Sequence, residues 1–341
     1  MKVTVKTPNK TYDILIDKLP EITIDSKVAI ITNPKVSGLH INYLTNKLKA
    51  KELHIITLPD GEEYKNWQSI EYALDRLFDA KFDRNSTLIA FGGGVIGDMT
   101  GFAASIFLRG VKFIQIPTTL LSMVDSSVGG KTGINNKYGK NLIGSFYQPE
   151  AVYIDTHFLS TLDKREFAAG MAEIIKMAVM FDKEFFENLK KGNLSLEEMI
   201  KRSVELKAQV VNQDEKEKGI RSVLNYGHTF GHVIENLTNY KTYLHGEAVA
   251  IGMVMANELS RELGFLSEEE ANEIKELLEK NNLPTDFKIK DAHEFYEHFF
   301  LDKKTTDNKI KFIIPEKIGQ YKIVKDIDKE KVMKVLKKFE R

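Results

Sequence analysis

The stretch "STLIAFGGGVIGDMTGF", Ser86 to Phe102, places a β-rich run, a glycine loop and a helical pattern in succession. Gly92, Gly94 and Gly97 satisfy the pattern G-x-G-x-x-G, in which glycine permits a tight turn and close approach of the backbone to a pyrophosphate. The helix N-terminus that follows adds unpaired N–H groups and a favourable dipole. A simple strand-to-helix turn has the same glycines, so the pattern alone only favours a dinucleotide site.

Short β-rich runs and helical segments alternate on both sides of this loop. The runs "KVAIIT", "ELHIITLP" and "KFIQIP" end in turn residues, and "NWQSIEYALDRLFDA" has apolar residues at helical spacing. "KVTVKT" and "YDILID" near the N-terminus read as a hairpin. Strands separated by helices imply a parallel α/β sheet. Long helical segments follow from about Arg165, so we predict an α/β domain over residues 1–160 and an all-α, mainly helical domain over residues 161–341.

The composition excludes several classes of protein and site. A chain of 341 residues suggests two domains. Lys+Arg and Asp+Glu both number 49, so bulk charge attracts neither nucleic acid nor an anionic membrane. No cysteine is present, which excludes disulfides and thiolate metal sites. The start "MKVTVKTPNK" lacks the apolar core of a signal peptide, so we expect a soluble, cytoplasmic protein without nucleic-acid or membrane partners.

The glycine loop is not followed by the acidic residue that usually accompanies it. A dinucleotide site commonly has an acidic residue about 20 residues further on, to bind ribose. That region reads "VKFIQIPTT" here and contains no acid. Asp60 and Glu62 in "PDGEEYK" are the candidate ribose contacts, although a solvated charged turn is the commoner structure for such a stretch.

A long polar segment follows the strand "KFIQIP". The stretch "TTLLSMVDSSVGGKTGINNKYGKNLIGSFYQPE" combines five glycines with two acids, three lysines and several amides. Loops of this length inside a compact domain are usually functional. Lysines and N–H groups exposed by glycine suit anionic oxygens. The alternative is a mobile surface loop, against which the apolar flanks "LLSMV" and "LIGSFY" argue.

Three histidines and a glutamate indicate a metal. His228 and His232 are four residues apart in "LNYGHTFGHVIE", and His245 follows in "YLHGEAVAIGM". A carboxylate plus two histidines is a common catalytic metal set. Spacing leaves open which two histidines bind, and whether Glu173 or Glu247 supplies the oxygen. Within "GMAEIIKMAVMF", the acid at 173 also shares a helix face with the lysine at 176, as a structural ion pair or as part of a site.

Together these motifs resemble the 3-dehydroquinate synthase family of sugar-phosphate cyclases. The likeness runs through "PDGEEYK", "GGGVIGD", "PTT", "DSSVGGKTGIN", "GKNLIGSFYQP", "FLSTL", "GMAEIIKM", "LNYGHTFGHVIE" and "LHGEAVAIGM", in that order. It implies a Rossmann-like NAD-binding domain over 1–160, a helical metal- and substrate-binding domain over 161–341, and a homodimer. It also implies the cofactors NAD and one divalent metal, Zn²⁺ or Co²⁺.

The resemblance also implies the reaction. The family, a group of phosphorus–oxygen lyases, converts 3-deoxy-D-arabino-heptulosonate 7-phosphate to 3-dehydroquinate and phosphate in the shikimate pathway. The steps are transient oxidation by NAD, phosphate elimination, re-reduction and intramolecular aldol closure. Such a site needs many cations and few dedicated bases.

Site residues are transferred by resemblance position by position. The metal ligands fall on Glu173, His228 and His245. The NAD contacts fall on Asp60, Gly61, Glu62, Glu63, Tyr64, Lys65, Gly94, Val95, Ile96, Gly97, Asp98, Thr118, Thr119, Lys131, Lys140, Phe158, Leu159, Ser160 and Thr161. The catalytic contacts fall on Lys131, Lys176, Lys207, Arg221, Asn225 and His232. Further substrate contacts fall on Asp125, Asn141, one or both of Lys303 and Lys304, and Arg109. Arg109 is expected to reach the neighbouring subunit's phosphate site.

Three rival functions remain at this point. One is a cyclase that acts on another sugar phosphate to give valiolone- or inosose-type products. Another is a metal-dependent polyol dehydrogenase of the same fold, against which the cations for phosphate and carboxylate argue. The third is a non-catalytic nucleotide-binding regulator, which would have no need of a metal triad.

Overall fold

A seven-stranded sheet organises the first part of the chain in this computed structural model, which describes residues 1–300 and 310–341. The first nine strands are β1 (Lys2–Lys6), β2 (Thr11–Ile16), β3 (Ile22–Thr32), β4 (Leu48–Thr57), β5 (Thr87–Gly92), β6 (Lys112–Pro117), β7 (Lys131–Asn136), β8 (Gly139–Phe146) and β9 (Ala151–Ile154). β7 and β8 form a separate antiparallel hairpin, and the other seven form the sheet.

Helices connect these strands and make up most of the rest of the chain. They are α1 (Pro34–Thr45), α2 (Trp67–Asp79), α3 (Gly94–Ile106), α4 (Lys164–Phe181), α5 (Lys183–Lys191), α6 (Leu196–Gln213), α7 (His228–Leu237), α8 (His245–Glu262), α9 (Glu268–Lys280), α10 (Ala292–His298) and α11 (Lys329–Phe339). One further antiparallel hairpin joins β10 (Lys311–Lys317) to β11 (Gln320–Lys325). None of the helices in the described part of the chain is long and apolar enough to cross a membrane.

The sheet has the strand order β1-β2-β9-β6-β5-β3-β4, in which only β1 runs antiparallel to its neighbour. Its last five strands, counted along the chain from β3, have the order 2-1-3-4-5 of one common doubly wound sheet. In that arrangement ligands bind beyond the carboxyl ends of the strands where the order reverses, here between β3 and β5. The glycine loop follows β5 and therefore lies at this switch point.

Burial explains why β5 forms a strand although its sequence does not alternate. All six of its residues are buried, as in parallel strands that are covered on both faces. The core around it includes Leu88 of β5, Ile96 and Met99 of α3, and Phe113 of β6. The predicted α/β class and the predicted strand, loop and helix over Ser86–Phe102 are confirmed, as is the N-terminal hairpin.

By its internal contacts the chain divides into two units. The first comprises residues 1–163 and 196–216, and the second comprises 164–195 and 217–341. α6 belongs to the first unit, where it packs against β1. Its sequence lies within the range that the sequence analysis assigned to the second domain. The division of function between residues 1–160 and 161–341 stays a prediction.

The second unit is built on α8, which packs against α4, α7, α9, α11 and β10. Of the 18 residues of α8, 14 are buried, so the helix is apolar nearly all round because it is surrounded. Its end precedes Gly264, whose φ of +79° favours glycine after a helix. The prediction that this part of the chain is mainly helical is confirmed. The unit also contains the β10–β11 hairpin.

The polar, glycine-rich segment is a hairpin and not a loop. β7 and β8 pair with Thr132 opposite Ser145 and Gly133 opposite Gly144. A Cβ on Gly144 would lie 2.0 Å from the carbonyl oxygen of Thr132, so the strands approach too closely for any side chain there. The prediction of one long loop was therefore wrong for residues 131–146, which form this hairpin.

Candidate active site

The glycine loop and the residues after β6 form one edge in the first unit. Gly92 pairs with Pro117 at the ends of β5 and β6, and the backbone N–H of Thr118 donates to the carbonyl of Gly92 over 3.0 Å. Gly93 caps α3 without a side chain of its own. A Cβ on Gly93 would lie 3.1 Å from the Cγ2 methyl of Thr119. The predicted NAD contacts at Gly94–Asp98 and at Thr118–Thr119 therefore come together at the helix N-terminus.

Lys65 links three of the predicted contacts. Its buried Nζ lies 2.5 Å from Oδ2 of Asp98 and 2.6 Å from Oδ1 of Asn141. Burial raises the pKa of the Asp98 carboxyl, and the charge of Lys65 opposes that shift. Asn141 adopts a positive φ of +54°, and its N–H donates to Oδ1 of Asn135 over 2.9 Å. This network fixes the predicted contacts from α3 and β8 to the segment after β4.

The two candidate ribose contacts are held by asparagines. Asn33, after β3, donates to Oδ1 of Asp60 over 2.8 Å. Asn135 of β7 donates to Oε1 of Glu62 over 2.8 Å. Asp60 itself is exposed, whereas Glu62 is half-buried. Asp60 and Glu62 of "PDGEEYK" therefore each have a hydrogen-bond partner, and Asp60 is in addition open to solvent.

The segment "FLST", Phe158–Thr161, belongs to a short 3₁₀ turn, and the buried carboxylate of Asp155 caps the start of this turn. Asp155 accepts from the N–H of His157 over 2.9 Å and from the Tyr43 hydroxyl over 2.7 Å. Burial and this hydrogen bond raise the pKa of Tyr43 to about 12. Nε2 of His40 lies 2.7 Å from Oγ1 of Thr161. These hydrogen bonds hold the turn that carries the predicted NAD contacts in one conformation.

The other predicted contacts of the first unit lie in three places. The buried Nζ of Lys207 on α6 lies 2.6 Å from Oδ1 of Asp125 and 2.6 Å from its backbone oxygen. Lys131 and Lys140 lie on the hairpin, where the former is exposed and the latter half-buried. Arg109 is exposed in a turn and has a φ of +70°, an uncommon conformation outside glycine.

A cluster of metal-binding type lies in the second unit. One donor atom each from Glu173, His228 and His245 lies within 4.8 Å of the other two. The Glu173 side chain is 2% exposed, and its Oε1 accepts no hydrogen bond from any residue that the structure describes. Oε2 contacts Lys176 Nζ as an ion pair, and Oε1 lies 3.8 Å from Nε2 of His228. A buried carboxylate of this kind fits a cation, because buried charges need close partners.

The two histidines of this cluster are oriented through their second nitrogens. Nδ1 of His228 lies 3.1 Å from the carbonyl oxygen of Tyr226, which fixes that nitrogen as a donor and leaves Nε2 as the ligand atom. Nδ1 of His245 lies 3.3 Å from Oε1 of the buried Glu235. Both rings therefore present Nε2 for a metal.

Glu247 has a structural role. Its carboxylate accepts from Nε and Nη2 of Arg165, both over 2.6 Å, and from the N–H of Leu244 over 2.8 Å. The last contact caps α8 at its first turn. Of the two acids that spacing left open, Glu173 is therefore the one in the cluster.

Three glycines bring the cluster together. A Cβ on Gly246, next to His245, would lie 2.0 Å from the carbonyl oxygen of Ala169 on α4. A Cβ on Gly252 would lie 2.0 Å from the carbonyl oxygen of Gly227. Gly227 has a φ of +78° and precedes His228 at the start of α7. α8 thus contacts α4 and the start of α7 directly through the backbone, and the side chains of the cluster meet for that reason.

Of the remaining predicted contacts of the second unit, His232 lies next to the cluster. The His232 ring centroid lies 5.5 Å from that of His228 and 6.3 Å from that of His245. Arg221 is buried, and Nδ2 of Asn225 lies 3.0 Å from Oε1 of Glu217. Lys303 and Lys304 lie outside the described residues.

Glu235 is a residue that sequence reasoning missed. It lies seven residues, about two helical turns, after His228 on α7, and three after His232. A carboxylate at that spacing from a ligand candidate, on a mostly apolar helix, was the available signal.

Known proteins are similar to this chain over almost its whole length. A family profile described as 3-dehydroquinate synthase N-terminal matches residues 55–169, and one described as 3-dehydroquinate synthase C-terminal matches residues 170–305. A curated 3-dehydroquinate synthase of Sulfurovum sp. (strain NBC37-1) is 68% identical over 338 residues, covering 98% of this chain and 97% of the relative.

Two solved structures share the fold at lower identity. The 2-epi-5-epi-valiolone synthase of Streptomyces hygroscopicus subsp. jinggangensis, with NAD⁺ and Zn²⁺ bound, has a TM-score of 0.86 at 26% identity and covers 96% of each chain. A 2-deoxy-scyllo-inosose synthase, complexed with carbaglucose-6-phosphate, NAD⁺ and Co²⁺, has a TM-score of 0.86 at 24% identity. It covers 99% of this chain and 100% of its own, and at that identity the likeness shows the fold alone.

Proposed function

Because the chain belongs to the 3-dehydroquinate synthase family, we propose that the residues described above perform this family's reaction. The chain is an NAD- and metal-dependent lyase that forms 3-dehydroquinate and phosphate from 3-deoxy-D-arabino-heptulosonate 7-phosphate, a step of the shikimate pathway. Identity of 68% to a curated relative, against 26% to the valiolone synthase, disfavours the rival cyclase.

Glu173, His228 and His245 would hold the metal ion. The set of one carboxylate and two imidazoles suits Zn²⁺ or Co²⁺, the ions named for the two related structures. When bound, the ion supplies Lewis-acid polarisation of substrate hydroxyl oxygens. Around it, Lys176 keeps a fixed positive charge against Glu173. His232 borders the two ligating rings and is assigned to the substrate phosphate and not to the metal.

The edge beyond β5 and β6 would hold NAD, which supplies a reversible hydride acceptor when bound. Gly94–Asp98 offer bare backbone N–H groups at the start of α3, where the helix dipole favours a pyrophosphate. Asp60 and Glu62 are assigned to the ribose side, because each is oriented by an asparagine. Phe158–Thr161 provide a packed turn at the end of β9.

The cationic residues are assigned to the substrate's phosphate and carboxylate. In the first unit these are Arg109, Lys131 and Lys207, with Asp125 and Asn141 as polar partners. In the second they are Lys176 and Arg221, with Asn225 and His232 as polar partners. Lys207 and Lys176 are buried, each against a carboxylate, so their ammonium groups are already fixed in position. Fixed charges of this kind stabilise developing negative charge without reorganisation. One or both of Lys303 and Lys304 are assigned to the phosphate by resemblance.

The observation that carries the proposal is the Glu173, His228 and His245 cluster within a chain of full-length family match. The test is to incubate the purified protein with zinc, catalytic NAD and the heptulosonate phosphate. We expect phosphate release and 3-dehydroquinate without net NADH. Stoichiometric NADH from a polyol would instead identify a dehydrogenase, and no turnover with any such substrate would leave a nucleotide-binding regulator.

A homodimer and a cytoplasmic location belong to the same proposal. The exposed Arg109, held in an uncommon backbone conformation, is the residue assigned to the partner's phosphate site. Light scattering of the purified protein should give twice the 38.9 kDa chain mass. A monomer that turns over at the full rate would contradict the role of Arg109.

A further inference from the structure

Glu235 lies in the second unit as a buried carboxylate with no part in the assignments above. It is 5% exposed, on the same helix whose first residue is His228. Its Oε1 lies 3.3 Å from Nδ1 of His245, which begins α8. Glu235 is not a member of the group of donor atoms that lie within 4.8 Å of one another in the described residues. Its contact with the cluster therefore runs through the His245 ring.

We propose that Glu235 is a positioning residue of the metal centre, which orients His245 through a carboxylate–imidazole hydrogen bond. The inference rests on the metal centre proposed above. Glu235 accepts the Nδ1 proton of His245, which fixes the tautomer with its lone pair on Nε2 and limits rotation of the ring. It also makes that nitrogen a stronger donor, since a negative acceptor increases the electron density of the imidazole.

The other ligating histidine shows why a carboxylate is needed here. His228 follows Gly227 and has the carbonyl oxygen of Tyr226, two residues away, as its acceptor. His245 is 35% exposed, against 12% for His228, and its acceptor comes from another helix ten residues away in sequence. The more exposed ring has more freedom to turn, and the charged acceptor compensates for it.

Charge gives Glu235 a second effect. With a neutral imidazole at each position, Glu173 supplies one negative charge to a divalent ion directly, and Glu235 supplies another through His245. Because Lys176 already pairs with Glu173, the charge of Glu235 offsets positive charge that Glu173 alone does not balance. Buried charges without such compensation are costly, so removal of Glu235 affects the affinity for the metal before it affects the chemistry.

Metal affinity is the measurement that separates positioning from a structural role. Glu235→Gln keeps the size and an acceptor oxygen but removes the charge, and Glu235→Ala removes both. Zn²⁺ affinity is measured by competition with a chromophoric chelator, and the ligand field is followed by the absorption of Co²⁺. We expect affinity to fall about 10-fold in the first variant and about 100-fold in the second, within the range known for outer-sphere partners. A changed Co²⁺ spectrum should accompany the loss.

Glu247→Gln is the matched control. Glu247 is also buried, lies two residues from His245, and is bonded to Arg165 and to the cap of α8. Its variant should lower the unfolding temperature and leave Zn²⁺ affinity within twofold. Affinity within twofold in both Glu235 variants, or an equal loss in Glu247→Gln, would overturn the positioning role. His245→Ala distinguishes failure of the metal-centre proposal from failure of the Glu235 proposal. If this variant kept full Zn²⁺ affinity, the assignment of the metal centre would be wrong, and the positioning role of Glu235 would be wrong as well.

Discussion

In the first unit, Gly93 and Gly94 leave the backbone N–H groups at the start of α3 without side chains in front of them. In the second unit, Gly246 and Gly252 let α8 touch other backbone, with no room for even a methyl group. Glycine therefore opens a surface in one region and closes a gap between elements in the other. The first use leaves a recognisable motif beside a strand, whereas the second is visible only when the helices are packed.

The largest expected effect is in the closed region. Glu173→Gln removes the only carboxylate in the cluster and leaves the charge of Lys176 buried without its partner. We expect loss of bound metal and a fall in kcat of about 1000-fold or more, since metal ions contribute several kcal/mol to such reactions. Elemental analysis and phosphate release measure the two effects. Full metal occupancy in this variant would refute the ligand assignment.

His232→Ala, compared with His228→Ala, tests whether neighbouring rings have different tasks. We expect His228→Ala to lose the metal. His232→Ala should keep it and lose about 100-fold in kcat/KM, the scale of one positioned proton-transfer or anion-binding group. Zn²⁺ content per chain decides between them. If both variants lost the metal equally, the separate roles would be contradicted.

Gly246→Ala tests the closed contact itself. The added Cβ would meet the Ala169 carbonyl oxygen at 2.0 Å, so α8 must shift against α4. We expect the free energy of unfolding to fall by about 1–3 kcal/mol, the usual cost of overpacking, together with weaker Zn²⁺ binding. Gly38→Ala on α1 is the control, because its Cβ would meet nothing within 4 Å. Chemical denaturation should show it unchanged or more stable by up to about 1 kcal/mol.

Gly94→Ala tests the open edge and should have the smallest effect on folding. Its Cβ would lie 3.0 Å from the Ser126 Oγ, a side-chain atom that can rotate away. We expect a change of under about 1 kcal/mol in stability. NAD affinity should fall about 10-fold, equivalent to about 1.4 kcal/mol, because the methyl group obstructs the pyrophosphate. Calorimetric titration with NAD measures it, and unchanged affinity would place the pyrophosphate elsewhere.

Local sequence patterns predicted those elements of the fold whose secondary structure is determined by neighbouring residues. The β5 strand, the glycine loop and α3 could be read from Ser86–Phe102, because the strand is uniformly apolar and the helix follows at once. The β7–β8 hairpin could not, since its lysines, asparagines and glycines have low strand propensity. It pairs because Gly133 and Gly144 face each other, which is a property of two distant positions.

The same limit applies to the metal cluster. Spacing alone could not choose between Glu173 and Glu247, because the choice depends on which helix α8 touches. The close contact of Gly246 with the backbone of Ala169 brings His245 to α4. The carboxylate of Glu247 is instead bound by Arg165. Resemblance supplied the three residues of the cluster, but it did not indicate Glu235, which acts through another side chain.

The position of α6 in the first unit constrains how the protein forms during synthesis. The chain leaves this unit after residue 163 and returns only at 196–216, where Lys207 meets Asp125. A nascent chain that has emerged as far as residue 163 therefore lacks the helix that covers β1. At about 5–20 residues per second, some seconds pass before that helix emerges from the ribosome. Until then the first unit is incomplete, and a fragment truncated at residue 163 would inherit the same exposed surface.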